Sequence, residues 1–357
     1  MKNLFFTRGF VSARCLTQSC LYKKSNVEME INMDFPIVYA VKHKNLDVRM
    51  ASRSGGIFTA VSDMILEEGG IVYGCVLDEK FEAFHVRATT KEERNRMRGS
   101  KYIQSNMADT FRNVKADLEA GSKVLFSGTS CQVAGLLAFL RKDYGEQLFC
   151  MDILCHGVPS PLVWKEYLQW QEEKNHGKCV EIDFRNKKDF GWDDHVETLK
   201  IEKGDGTIET VNSKVFRNLF YSHKIIRLSC YKCPYKDITH PSDITIGDFW
   251  RVDNATPDFD DNKGVSLVLL NTDKGQAAFE SVKENLDIRL CRIEDSMQVP
   301  LKKPFKRPEG RDEFWRDFGD KPFDYIAKKY GHYREKTFVW KIRTKLKKLK
   351  KKFRKRR

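Results

Sequence analysis

The sequence has no run of 18 or more apolar residues, so none of its 357 residues read as a membrane-spanning helix. No secretory signal pattern stands at its start. Its ten cysteines are scattered through a long chain, which argues for free thiols in a reducing compartment and against a disulfide framework. Internal repeats are absent. Acidic residues are missing from two places. None precedes Glu28, while Lys2, Arg8, Arg14, Lys23 and Lys24 lie in that stretch. Such a leader has the composition of a mitochondrial transit peptide; the blander reading is an unstructured leader or a misplaced start. None follows Lys341 either. Twelve Lys/Arg sit there, so of the net charge of +14 only +2 belongs to the rest of the chain. Any anionic partner implied by the charge therefore belongs to the tail.

What is present is an alternation of strand-like and helix-like segments from Ile37 onward. "IVYGCVL", "KVLFSG" and "LFCMDIL" are short apolar runs suited to strands covered on both faces. Between them lie helical patterns. Ile57, Phe58, Val61, Met64 and Ile65 share one helix face, and Gly69-Gly70 stop it. Val133, Leu136, Leu137 and Leu140 share another, and Pro161 opens a third helix near its first position. This βαβα order predicts an α/β domain with a mostly parallel sheet. From about Val180 the pattern changes to paired strands, with a hairpin through Gly204-Asp205-Gly206 and further strands in "SDITIGDFW" and "GVSLVLLNT". The expected fold is thus α/β and α+β. Residues 1–36 form a degenerate leader, 37–178 a ligand-binding α/β domain, 179–300 a smaller mixed domain, and 301–357 an extension with a basic tail.

Three loops following strands or entering helices carry chemistry. Ser54-Gly55-Gly56 lead into a helix, where backbone amides can cradle a phosphate; the plainer reading is a capped tight turn. Ser127-Gly128-Thr129 end a strand, and Cys131 opens the next helix, where the dipole favours a thiolate. Cys155-His156 end the following strand. Two successive strand ends thus present a cysteine on one sheet edge, unlike Cys75 and Cys150, which sit inside strands. Cys230 and Cys233 form a Cys-x-x-Cys pair further on. Four such thiols suit an iron–sulfur cluster or a structural zinc ion. With one close pair and two singles, the spacing leans toward a cluster held between two parts of the chain.

"SGGIFTAVSDMILEEG", "GSKYIQS", "VLFSGTSCQVAGL", "CHGVPSPLVW", "SCYKC" and "SDITIGDFW" occur in this order. Together they resemble the beta subunits of the coenzyme F420 hydrogenase/dehydrogenase family, over roughly residues 37–290. The resemblance implies FAD and one 4Fe-4S cluster, with electrons passing between them and on to a deazaflavin such as F420 or another two-electron acceptor. It implies cluster ligands at Cys131, Cys155, Cys230 and Cys233. It implies a flavin site around Ser54, Gly55 and Gly56, around Gly99, Ser100, Lys101 and Tyr102, and around Ser127, Gly128 and Thr129. Lys101 would offset negative charge on the flavin or its diphosphate, the alternative being a solvated surface lysine. His156 is the candidate for a hydrogen bond to the cluster or a proton relay. Asp243 and Asp248 receive no role.

The resemblance also has a gap. Many bacterial members begin with a two-cluster ferredoxin module, which needs about eight cysteines. The first 36 residues contain only Cys15 and Cys20, so they read as an eroded remnant of that module or a misplaced start. Electrons would then come from free ferredoxin or a partner redox subunit. In the tail, Val339, Ile342, Leu346, Leu349 and Phe353 fall within an arc of roughly 80° on a helix. With the lysines and arginines around them, they predict an interfacial helix on an anionic membrane, as would suit bacterial relatives that work beside envelope polysaccharide synthesis. The expected location is cytoplasmic, peripheral on the inner membrane face. Nucleic-acid binding by the tail and a disordered solubilising tail are the competing readings. Two other functions stay open on the residues alone: a four-cysteine zinc protein binding nucleic acid, and a non-catalytic scaffold with a degenerate flavoprotein fold.

Overall fold

The computed structural model describes residues 35–334. The leader and the basic tail helix expected from the sequence lie outside these residues. Eleven strands are described: β1 (Ile37–His43), β2 (Ile71–Leu77), β3 (Ala83–Ala88), β4 (Val124–Thr129), β5 (Leu148–Ile153), β6 (Gly177–Asp183), β7 (Glu197–Lys203), β8 (Ile208–Ser213), β9 (Ile244–Asp248), β10 (Ser266–Leu270) and β11 (Leu286–Cys291).

Eight of them form one sheet in the order β11-β1-β10-β9-β5-β4-β2-β3. The centre is parallel: β2 with β4, β4 with β5, and β5 with β9. Both flanks are antiparallel. The apolar runs dictate this placement. Val124, Leu125 and Phe126 of β4 are wholly buried, as a strand with both faces covered must be. Helices Thr110–Glu119 and Ser130–Leu140 cover one face, packing Val114, Leu118, Val133 and Leu136 on Ile71, Tyr73, Phe126 and Cys150. Leu137, expected on the buried side of its helix, is instead 40% exposed. It lies about 100° round the helix from Leu136, far enough to leave the covered stripe.

The second, smaller sheet is antiparallel, β6-β7-β8, with the hairpin between β7 and β8 where the glycines predict it. It packs beside an aromatic core built from helix Pro161–Lys174, helix Val215–Tyr221 and the later Phe314, Phe323 and Ile326. The expected division at residue 178 does not divide the main sheet. β9, β10 and β11 from the later part of the chain join β1 and the central strands, so the whole sheet is mixed, with the expected parallel part at its centre. The physical reason is the run Ser266–Leu270, buried throughout. Such a strand needs partners on both edges and finds them in β1 and β9.

Candidate functional site

In an open α/β sheet, ligands bind at the carboxyl ends of the parallel strands. Here β4, β5 and β9 end at a cavity of about 650 Å3. Its wall includes Ser127-Gly128-Thr129, the stretch Ile153–Pro159, and Ile246-Gly247-Asp248. Glycines keep these ends close. A Cβ on Gly247 would stand 2.8 Å from Leu154 Cβ, and one on Gly74 2.7 Å from Met97 Sδ. Thr129 caps the following helix. Its backbone N–H donates to Gln132 Oε1 at 2.9 Å, and Gln132 Nε2 in turn donates to Ser105 Oγ at 2.8 Å. This fixes Cys131 in the first turn, where its thiol is exposed and lies 3.2 Å from Thr129 Oγ1.

The four cysteines singled out by the sequence lie within reach of one another's charge. Cys155 lines the cavity. Burial, with charge on Cys230 and Cys131 and against the Lys236 ammonium, pushes its thiol up to about 12. Cys230 is likewise raised by burial, and then by Cys131 and Cys233. Lys236 opposes this. Its ammonium donates to the Cys155 carbonyl and is drawn toward charge on Cys155, Cys233 and Cys230. All four cysteines are free thiols. Cys230 lies in the 3-10 turn Leu228–Lys232, and Cys233 follows it. Among the described residues no three His, Cys, Asp or Glu side chains meet at the spacing of a single metal ion. A zinc site needs its sulfurs about 2.3 Å from one point. A four-iron cluster takes each thiolate on a different iron, so its sulfurs stand further apart. Four free thiols from three chain segments, with the Lys236 ammonium beside them, are the donor type that such a cluster takes.

The other expected residues separate. Ser54 and Gly56 line the cavity, as do Ser100, Lys101 and Tyr102. Gly55 does not. Its N–H donates to Ser266 Oγ at 2.9 Å and its carbonyl accepts from His43 N at 2.7 Å, so it serves the turn. Lys101 is no solvated lysine. Its ammonium donates to the carbonyls of Arg96 and Arg98 at 3.0 and 2.9 Å, and burial lowers it to about 8. His156 faces the cavity and its Nε2 lies 2.8 Å from His223 Nε2. Burial, then the charge of His223, lowers His156 to about 3, so at neutral pH it is an uncharged imidazole.

Sequence reasoning missed three features. Cys75, expected as a structural cysteine inside its strand, lines the cavity. Asp248, given no role, accepts from Arg185 at 2.5 Å and from Trp192 Nε1 at 3.0 Å, and is held below the usual carboxylate range by Arg185 and Arg53 against burial. Trp250 stacks flat on Trp192 at 4.8 Å and carries the Arg185 guanidinium over its ring. The signal in reach was the "GDFW" stretch closing β9, a carboxylate and an aromatic at a strand's carboxyl end.

The fold is a mixed α/β sheet with a large cavity at its parallel strand ends, and the free thiols of Cys75 and Cys155 are part of its lining. Comparison with known proteins then gives the family. Residues 38–112 match the N-terminal region of the coenzyme F420 hydrogenase/dehydrogenase beta subunit, and residues 121–296 match its C-terminal region. The chain belongs to this family, a family of redox proteins. No curated protein matches. Among solved structures, a chain of the F420-reducing [NiFe] hydrogenase complex from Methanosarcina barkeri is similar, at 18% identity and a TM-score of 0.47, over 72% of this chain and 82% of that one. Among the described residues no helix is long and apolar enough to cross a membrane.

Proposed function

We propose that the chain is an iron–sulfur flavoprotein oxidoreductase. Cys131, Cys155, Cys230 and Cys233 would hold a 4Fe-4S cluster, and the cavity beside them FAD. The observation that carries this reading is that those four thiols lie within reach of one another's charge and that one of them, Cys155, lines a cavity of about 650 Å3. When bound, a flavin supplies two-electron hydride chemistry and a cluster one-electron transfer, and side by side they interconvert the two.

The chain's own residues then have defined tasks. The cysteines supply thiolates, and Lys236 supplies positive charge against them. Phe58, Ile57, Met97, Ile103 and Phe220 give the cavity apolar walls that exclude water. Lys101, fixed by backbone carbonyls, presents a cation to negative charge in the cavity. Electrons would reach the site from a ferredoxin or a partner redox subunit and leave to a deazaflavin such as F420 or another two-electron acceptor. The basic amphipathic tail would hold the protein on an anionic membrane surface. Removal of residues 335–357 should then abolish binding to anionic liposomes and leave binding to neutral ones unchanged.

Protein purified without oxygen tests the centre of the proposal. It should contain about four irons and four labile sulfides per chain and release FAD on denaturation. Cys233→Ser should lose iron and keep the fold by circular dichroism. Colourless protein carrying one zinc, or a Cys233→Ser variant with full iron content, overturns the assignment.

A further inference from the structure

A second cavity of about 330 Å3 opens beside the first. The two share the strips Ser52-Arg53 and Arg98–Lys101, so a molecule in one reaches the other. This annex is lined by six cationic side chains: Arg53, Arg98, Lys101, Arg185, Lys187 and Lys188. Of the six, only Arg185 has a carboxylate to itself, Asp248, and Lys101 is held by carbonyls. The other four have no carboxylate to themselves. Arg53 reaches only the carbonyls of Arg185 and Trp192, and its Nε is buried without a partner. Arg98 Nε is buried without a partner too, and Asp63, the carboxylate that attracts it, is already taken by Arg94. Lys187 donates to the carbonyls of Arg49 and Ser54. Lys188 is exposed at the rim.

The cost of this arrangement shows in the groups themselves. Burial, and then the neighbouring guanidinium groups Arg53 and Arg49, lower Lys187 to about 7. Arg53 is lowered by burial and Arg185, and Arg98 by burial and Arg94. Two carboxylates stand on the same wall: Glu181 is bound by Lys200, and Asp183 accepts from the Arg185 backbone N–H and offsets only part of the charge of Arg53 and Arg185, leaving six cations against two carboxylates. Buried cations of one sign persist where something of the opposite sign compensates them. A carboxylate brings one charge. A phosphate group brings more charge and several acceptor oxygens, and guanidinium groups fit it in pairs.

We propose that the annex binds a phosphate-bearing group through Arg53, Arg98, Lys187 and Lys188. The group comes from one of two sources: the diphosphate of a nucleotide cofactor in the main cavity, or a phosphate on the electron acceptor. The choice of sources rests on the oxidoreductase reading; the anion site itself does not.

Calorimetric titration of the full chain with inorganic pyrophosphate tests it, first on protein stripped of flavin and then on FAD-loaded protein. The double variant Arg98→Gln/Lys188→Gln is the control, since Arg98 Nε has no partner and Lys188 is exposed, so neither replacement opens the core. Stripped protein should bind pyrophosphate, and the variant should bind it about tenfold or more weakly, as expected for lost charge-assisted bonds. If FAD blocks pyrophosphate, and the variant loses affinity for FAD but not for riboflavin, the source is the cofactor's diphosphate. If FAD-loaded protein still binds pyrophosphate, the source is the acceptor. Absence of binding in both forms, or equal affinity in parent and variant with unchanged urea midpoints, overturns the proposal. A chain that binds pyrophosphate yet assembles no iron–sulfur chromophore keeps the annex and loses the cluster.

Discussion

At the scale of single residues, the energetics concentrate on a few buried charges. Arg185 is 2% exposed at its side chain and Asp248 14%. Removing one partner strands the other, at a cost of about 3–5 kcal/mol. Arg185→Met should therefore lower the urea midpoint sharply, and the Arg185→Met/Asp248→Asn double variant should recover part of the loss; full additivity of the two substitutions would show that the pair is not coupled. Glu197 behaves differently. It is 1% exposed, and burial raises its carboxyl to about 8. Between about pH 4.5 and 8 the folded chain keeps a proton that the unfolded chain releases, so this group's contribution to stability falls as pH rises through that window. Glu197→Gln removes the titration. The drop in urea midpoint from pH 5 to pH 8 should be smaller in the variant, and an identical drop would refute the assignment. The cysteines were legible in the sequence because a thiol outside a strand or helix interior has few structural uses. Asp248 was not, because its value depends on Arg185, 63 residues earlier, and on a tryptophan stack formed only by folding.

At the scale of elements, most strands and several of the longer helices were legible, since apolar runs and turn glycines act locally. Their order in the sheet was not. β1 begins the domain but pairs with β10 and β11. That choice is made by burial of partners more than 200 residues away, which periodicity cannot register. β3 and β11 also escaped notice; β3 is broken by polar and charged residues, and its burial alternates. The turn before helix Ile57–Glu67 shows how tightly such elements fit. A Cβ on Gly55 would lie 2.0 Å from Val41 O and 2.7 Å from Ser266 N. Gly55→Ala forces β1 and β10 to move, with an expected loss of roughly 3 kcal/mol or outright misfolding. Gly204→Ala, which meets nothing within 4 Å, should stay near parent stability. Comparable midpoints for the two variants would contradict this account of the turn.

At the scale of the whole molecule, the main cavity lies where three portions of chain meet: the β4–β5 strand ends, the β9 end and the loop near Lys101. A molecule filling it bridges them all. Loading with FAD should therefore raise the midpoint of thermal unfolding, with a stabilisation of about 2.7 kcal/mol at a hundredfold excess over Kd. An unchanged midpoint at saturating FAD would mean that flavin does not bind the folded state. The family was legible because six motifs recur in order. The continuity of the sheet across residue 178 was not, because strand pairing leaves no local mark.

The thiols have one further consequence. Cys155 and Cys230 stand on either side of the stretch that contains the whole of the small sheet β6-β7-β8. A shared inorganic group would turn that stretch into a closed ring. A protease cutting the exposed turn at Gly204–Gly206 would then open the ring without freeing either fragment, and a denaturant would part the halves fully only once the group had been removed as well.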